Sequence, residues 1–339
     1  MFFKRKLRFN LIDEAKKLNN YYFAMAIFRS IHRKIHGLST KSRGVLAISG
    51  AGHGKSSTMQ EIFDGLELSK YSSGFYVPSG MGTGIGLLQV LRDHPDHIIF
   101  IDELLADTTA HQNALKQIIS GSISYIKYNS THIEPFNSVV IAATNGIKLT
   151  KNSEHILAML DRFSIIKIDD LVSPEKCFDD MTNIKPNIDW DKIRKNLCKK
   201  IIGIRLSQEE KDLIKIYWLE KAKESLDQEK VLRRQCADYI DWFLFFKQMN
   251  FPDYFSVARE LADNTVVCNP VYCIKLSPVE KIIYKAIKNN GLVLRSVIIN
   301  KCQQEGLSQC NTTIDKSLDA LVINRIINRS NQGEYSLKR

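Results

Sequence analysis

The chain has 339 residues, 44% hydrophobic and 25% charged, a balance that suits a folded globular protein and excludes a collagen-like or disordered one. Lys and Arg outnumber Asp and Glu by 48 to 37, a formal charge of +11 that favours a polyanionic partner, nucleic acid before anionic lipid. No stretch reaches the roughly 18 uninterrupted apolar residues of a membrane span, and the basic start MFFKRKLRFN lacks the apolar core of a signal peptide. The expectation is therefore a cytoplasmic protein with no membrane partner.

Residues 10–37 are predicted helical, with Leu11, Ala15, Leu18, Tyr22, Met25, Ile27 and Ile31 near helical spacing. The polar STKSRG follows, then the apolar run GVLAIS (44–49), of strand type, and the amphipathic KSSTMQEIFDGL (55–66), of helical type. Between these two lie Gly50, Gly52, His53, Gly54, Lys55, Ser56 and Ser57, in the strand–loop–helix context of a phosphate-binding loop. Backbone N–H groups at a helix start cradle phosphate oxygens, and the helix dipole favours their charge. Lys55 is the candidate for the β- and γ-phosphates of ATP and Ser56 for Mg²⁺. Ser49 stands where the GxxxxGK[ST] pattern has its first glycine, which is tolerable if that residue stays extended.

DHIIFIDELLAD (96–107) is an apolar run ending in Asp102 and Glu103. The first is a candidate for the Mg²⁺ shell and the second for polarising the attacking water. SVVIAATNG (138–146) is a further buried-type strand, ending in Asn145, whose neutral amide can orient that water. In MLDRFSIIKI (159–168), Arg162 falls between a helix and a strand, the place of an arginine finger reaching a neighbouring subunit. This order of parts predicts an α/β fold of AAA+ ATPase type, a parallel sheet between helices.

The match becomes more specific in YVPSGMGTGIGLLQVLRD (76–93), NALKQIISGSISYIKYNSTHIEPFNSVVIAATN (113–145), LDRF and VLRRQCADYI (231–240). Together these segments resemble the minichromosome-maintenance (MCM) helicases, over residues 40–170 and more weakly over 205–262. The resemblance implies a DNA-driving ATPase acting in replication as a homo-oligomeric ring, with a hexamer among the forms it allows, in contact with other replication proteins; the compact size fits a small or mobile genome. It implies that Lys127, on a hairpin before the Asn145 strand, touches DNA backbone. It also implies that Arg233, with Arg234 competing, is a second γ-phosphate arginine. Only about 40 residues precede the phosphate loop, so the expectation is a compact form without that family's N-terminal region. The alternative is an ATP-switched initiator or helicase loader that binds DNA without unwinding it.

Residues 170–205 read as a connector turning helical, and 207–262 as a helical lid whose clump YIDWFLFF (239–246) suits a packing core better than a base-stacking platform. LSPVEKIIYKAIKNNG (276–291) opens with a capping box, Ser277 and Glu280 around Pro278. Two further helices and a two-strand ending complete the pattern of a winged helix. It offers Asn311, Thr312, Thr313 and Lys316 to a groove, with Arg325, Arg329, Lys338 and Arg339 near phosphates. The expected division is an N-terminal helical segment (1–40), an ATPase core (41–204), a lid (205–270) and a winged helix (276–339). The seven cysteines, Cys177, Cys198, Cys236, Cys268, Cys273, Cys302 and Cys310, have no CxxC spacing and are expected as thiols.

Overall fold

The computed structural model describes residues 11–38, 44–49, 52–70, 74–79, 84–104, 122–127, 130–146, 163–168, 187–201, 205–223, 232–251, 254–266, 276–306, 311–323 and 326–337. At its centre is a five-stranded parallel sheet formed by β1 (Gly44–Ile48), β2 (Gly74–Val77), β3 (Ile98–Ile101), β6 (Val139–Thr144) and β7 (Phe163–Lys167). The spatial order is β2-β3-β6-β1-β7. β1, β3 and β6 are buried along their whole length, which explains why they read as unbroken apolar runs rather than as alternating ones. Gly44 opens β1 opposite Phe163, and a Cβ there would lie 2.4 Å from the phenylalanine ring, so the pairing needs glycine. β2, GFYV, falls where no strand is predicted; it is four residues long and only Val77 is buried, too short for a period to register.

The helices α1 (Leu11–Ala15), α2 (Tyr21–Ile35), α3 (Lys55–Gly65) and α4 (Gly84–Asp93) lie among these strands in the chain. After β7 come α5 (Trp190–Leu197), α6 (Gln208–Ala222), α7 (Leu232–Gln248) and α8 (Tyr254–Thr265). The single helix expected over 10–37 is in fact two. The chain turns at 16–20, and the Asn20 amide is spent on the loop before α3 instead of capping α2.

One apolar cluster joins α2, the sheet and α6 to α8. Its largest members include Tyr239, Trp242, Phe243, Phe245 and Phe246 of α7, all at most 2% exposed, so the aromatic clump is packing core. A buried polar knot crosses this cluster. Arg29 of α2 donates to the Asp238 carboxylate (2.6 Å) and carbonyl (3.1 Å) and to Ser164 Oγ of β7 (2.9 Å). Ser164 in turn donates to the other Asp238 oxygen (2.7 Å), and the guanidinium lies 4.2 Å from the Trp242 ring centre. Every charge there is paired and hydrogen-bonded, the condition for burying it. Glu210 joins three helices in the same way, holding Lys247 at 2.5 Å and the Tyr254 hydroxyl. Burial opposes its charge, but these donors and the Ser207 N–H outweigh that and draw its carboxyl down to about 2.

Between β3 and β6 lies an antiparallel hairpin of β4 (Ser122–Lys127) and β5 (Ser130–Pro135). Lys127 pairs with Ser130, so only 128–129 separate the strands and Lys127 stands at the tip. Ser130 and Thr131 belong to β5.

The C-terminal residues build a second core of their own. α9 (Pro278–Asn290) has the predicted capping box: Glu280 N–H donates to Ser277 Oγ (3.2 Å) and Ser277 N–H to Glu280 Oε2 (2.7 Å). Then follow β8 (Leu292–Leu294), α10 (Arg295–Gln304), α11 (Asn311–Ile323), β9 (Ile327–Arg329) and β10 (Glu334–Leu337). The strands form an antiparallel sheet in the order β8-β10-β9. A bidentate pair from Arg295 to Asp315, at 2.6 and 2.8 Å, ties α10 to α11.

Candidate functional site

β1, β3 and β6 run side by side in parallel, so the residues that follow them converge at one end of the sheet. They surround a cavity of about 460 Å³ lined by Gly52, His53, Gly54, Lys55, Ser56, Ser57, Ser79, Asp102, Glu103 and the end of β6 through Asn145. Residues far apart in the chain thus meet in the arrangement read from the sequence.

The loop is held by local chemistry. Gly54 precedes α3 with φ +70°, a left-handed conformation that costs glycine little, and this turns the first N–H groups of α3 outward. The Asn20 amide donates to His53 O (3.1 Å) and Thr58 Oγ1 (3.0 Å), pinning loop and helix to the start of α2. Ser57 and Thr58 hydroxyls both donate to Gly54 O at 2.9 Å. Lys55 is only 6% exposed, and its Nζ donates to Ser49 Oγ at 2.7 Å and Ser49 O at 3.3 Å. The described non-glycine residues with positive φ are Glu67, Glu103 and Asn250, so Ser49 needs no glycine backbone and its hydroxyl is available to the lysine.

The acidic pair sits on a bend. Asp102 N–H continues the ladder by donating to Val77 O (2.9 Å), and Ser56 Oγ donates to Asp102 Oδ1 at 2.6 Å. Glu103 then takes φ +59°, and Leu104 N–H closes onto Ala143 O of β6 at 2.6 Å. A side chain held in the left-handed region is strained, and here the strain puts adjacent carboxylates to separate use. Glu103 accepts from Ser79 Oγ and, over 3.4 Å, from Asn145 Nδ2. Nearby, burial, followed by Asp102 and Asp64, raises the Tyr76 phenol above its usual value.

Of the site residues read from the sequence, Gly52, His53, Gly54, Lys55, Ser56, Ser57, Asp102, Glu103 and Asn145 line this cavity. Gly50 and Arg162 lie outside the described residues; Arg233 and Lys127 have a described backbone only. The packing register nevertheless places the backbone of Arg233. Arg29 pairs with Asp238 and Arg33 with Asp241, and His32 meets Phe245, so α2 and α7 run the same way. The first turn of α7, with Arg233, therefore lies toward the end of α2 that holds the loop. Sequence reasoning missed the role of two residues, Ser79 and Asn20. Ser79 sits in a quoted motif, and Asn20 is marked only by the Asn-Asn pair before a helix.

No protein-family model matches the chain, and no curated protein is similar to it. Among the described residues no helix is long and apolar enough to cross a membrane, and no cluster of three or more His, Cys, Asp or Glu side chains forms a metal site.

Proposed function

We propose that this chain is an AAA+ ATPase of MCM-like type that hydrolyses ATP to move along or unwind DNA as a ring. The observation that carries the reading is the convergence of a buried loop lysine, a hydroxyl–carboxylate pair and a glutamate–asparagine pair in one cavity. The strand order supports it, with the Asn145 strand inserted between the loop strand and the carboxylate strand.

The residues fit Mg²⁺·ATP. Magnesium bound with nucleotide needs few protein oxygens, and Ser56 Oγ beside Asp102 supplies two hard donors, so no three-residue cluster is required. When bound, the ion would neutralise charge on the phosphates. Lys55 would shift its ammonium from Ser49 Oγ toward the phosphate oxygens, and the N–H groups starting α3 would hold the rest. Glu103 would take the proton of the attacking water while Asn145 fixes that water's orientation, which is what their mutual contact prepares. Arg162 of a neighbouring subunit, and Arg233, would stabilise charge on the transferred phosphoryl group. Lys127, at the tip of the β4–β5 hairpin that precedes β6, would pass the state of Asn145 to DNA backbone.

The order α9-β8-α10-α11-β9-β10, with Asn311, Thr312, Thr313 and Lys316 exposed at the start of α11, supports a winged helix. That unit keeps the alternative of an initiator or loader in view, since it can bind DNA without a motor.

Turnover and nucleotide binding in two variants test the enzyme reading. Lys55→Ala should abolish ATP binding, and Glu103→Gln should bind ATP yet lose turnover by about 10²- to 10⁴-fold. Wild-type turnover in Glu103→Gln refutes hydrolysis at this site. Displacement on a forked DNA by wild type with ATP, and not with a non-hydrolysable analogue, selects the motor; ATP-dependent DNA binding without displacement selects the loader.

A further inference from the structure

We propose that a second cavity, at the C-terminal ends of α2 and α7, is a binding site for a phosphate carried on a nucleoside, either the monoester of a free mononucleotide or one phosphodiester unit of a DNA strand. The cavity measures about 440 Å³, opens to solvent and lies between α2, α7 and the start of α6. This is within the range of roughly 300–1,000 Å³ typical of small-ligand sites. α2 is roughly 22 Å long at its usual rise per residue, and its other end holds the phosphate loop, so the two cavities are separate.

The charges in this cavity do not balance. Arg33, Arg205 and Lys211 line it against one carboxylate, Asp241, which is paired with Arg33. Among the described residues Arg205 and Lys211 have no side-chain partner, and both are exposed. Arg33 is held by Asp241, and its Nε is buried without a hydrogen-bond partner, as is that of Arg29. Arg205 and Lys211 are therefore the cations left open to an anion in the cavity. Burial, then the neighbouring Arg29, draws the Arg33 guanidinium down to about 10.

A tetrahedral phosphate anion meets this need. Guanidinium forks match phosphate oxygens in geometry, and lysine adds a point charge. The remaining wall is apolar, including Leu206, Leu244 and Phe245, and it suits the less polar body of an ester rather than a bare ion. A cavity of this size would leave inorganic phosphate loosely held. The recognised unit is therefore a phosphate carried on a base-sized apolar group.

Calorimetric titration of the full chain tests the site with AMP, adenosine, inorganic phosphate and an oligo-dT. Lys55→Ala removes any contribution of the phosphate loop. A double variant, Arg205→Glu with Lys211→Glu, removes the free cations. A control with the same charge change, Lys215→Glu with Lys223→Glu, alters exposed lysines that do not line the cavity. AMP should bind Lys55→Ala as it binds wild type, adenosine should fail, and phosphate should bind more weakly. The cavity variant should lose at least about tenfold in affinity while the control keeps it. If AMP is silent and only the oligo-dT loses affinity in the cavity variant, the source of the phosphate is the strand. The proposal is overturned if neither ligand distinguishes the cavity variant from the control, if adenosine matches AMP, or if a glutamate-rich peptide of equal charge binds as tightly. The phosphate-loop reading fails separately, through ATP binding in Lys55→Ala.

Discussion

The two cavities have nearly the same volume, about 460 and about 440 Å³, and share α2 between them, yet they are built in opposite ways. At the Asn20 end nearly every polar group already has a partner within the site: Lys55 with Ser49, Ser56 with Asp102, Glu103 with Ser79 and Asn145. At the Arg33 end, among the described residues, the cations outnumber the carboxylates. The first arrangement is preorganised, so a ligand exchanges one set of hydrogen bonds for another and little has to be reordered. The second depends on its ligand to complete it. The reason is the source of the residues. The first cavity draws on short segments at the ends of neighbouring parallel strands, whereas the second is assembled from a helix end, a connector and another helix.

The buried knot between the two cavities should give the largest effect. Asp238→Ala leaves the Arg29 charge uncompensated and should cost about 3–5 kcal/mol, read as a lower urea midpoint. Adding Arg29→Met should recover part of that loss, because the unpaired charge goes too. An Asp238→Ala protein as stable as wild type would mean that α2 and α7 are not clamped there, and the contrast between their ends would lose its structural basis.

Acid should act on the Arg33 end through His32. Burial, with His36 and Arg33 beside it on α2 and the Phe245 ring of α7 against it, pushes His32 from 6.5 down to about 4. A folded-state value below the unfolded one means that stability is fully present above about 6.5. It is lost as the pH falls toward 4, by at most about 3 kcal/mol. Urea titrations at pH 7.5 and pH 4.5 should show that loss in wild type and a smaller one in His32→Phe. Equal slopes in the two proteins would remove His32 from the account.

The smallest expected effect sharpens the Asn20 end. Asn20→Ala removes two hydrogen bonds that pin the loop and should weaken nucleotide binding by about 1 kcal/mol, about fivefold, with the urea midpoint nearly unchanged. Affinity equal to wild type would mean that the loop holds its shape without α2.

Much of the α/β core was legible because its signals are local. β1, β3 and β6 read as apolar runs since both faces are covered, and each leads directly into its polar residues. The capping box of α9 was legible for the same reason, as its two partners are three residues apart. β2 and β8 were not, because three or four residues carry no usable period. The bend at Glu103 also escaped, since nothing in IDELL marks a left-handed residue; only the bond from Leu104 to β6 imposes it.

By itself, then, the sequence determined the parallel-sheet class, the glycine-rich loop between β1 and α3 and the carboxylate pair that follows β3. These depend on backbone conformation and burial over fewer than about a dozen neighbouring residues. The tertiary structure alone decided which distant side chains meet. It brought Asn20 to His53, set Arg29 between Ser164 and Asp238, and gathered Arg33, Arg205 and Lys211 around one cavity. Such contacts follow from how helices pack across the sheet, and a lone Asn or Arg on a helix carries no local mark of the partner that packing will bring to it.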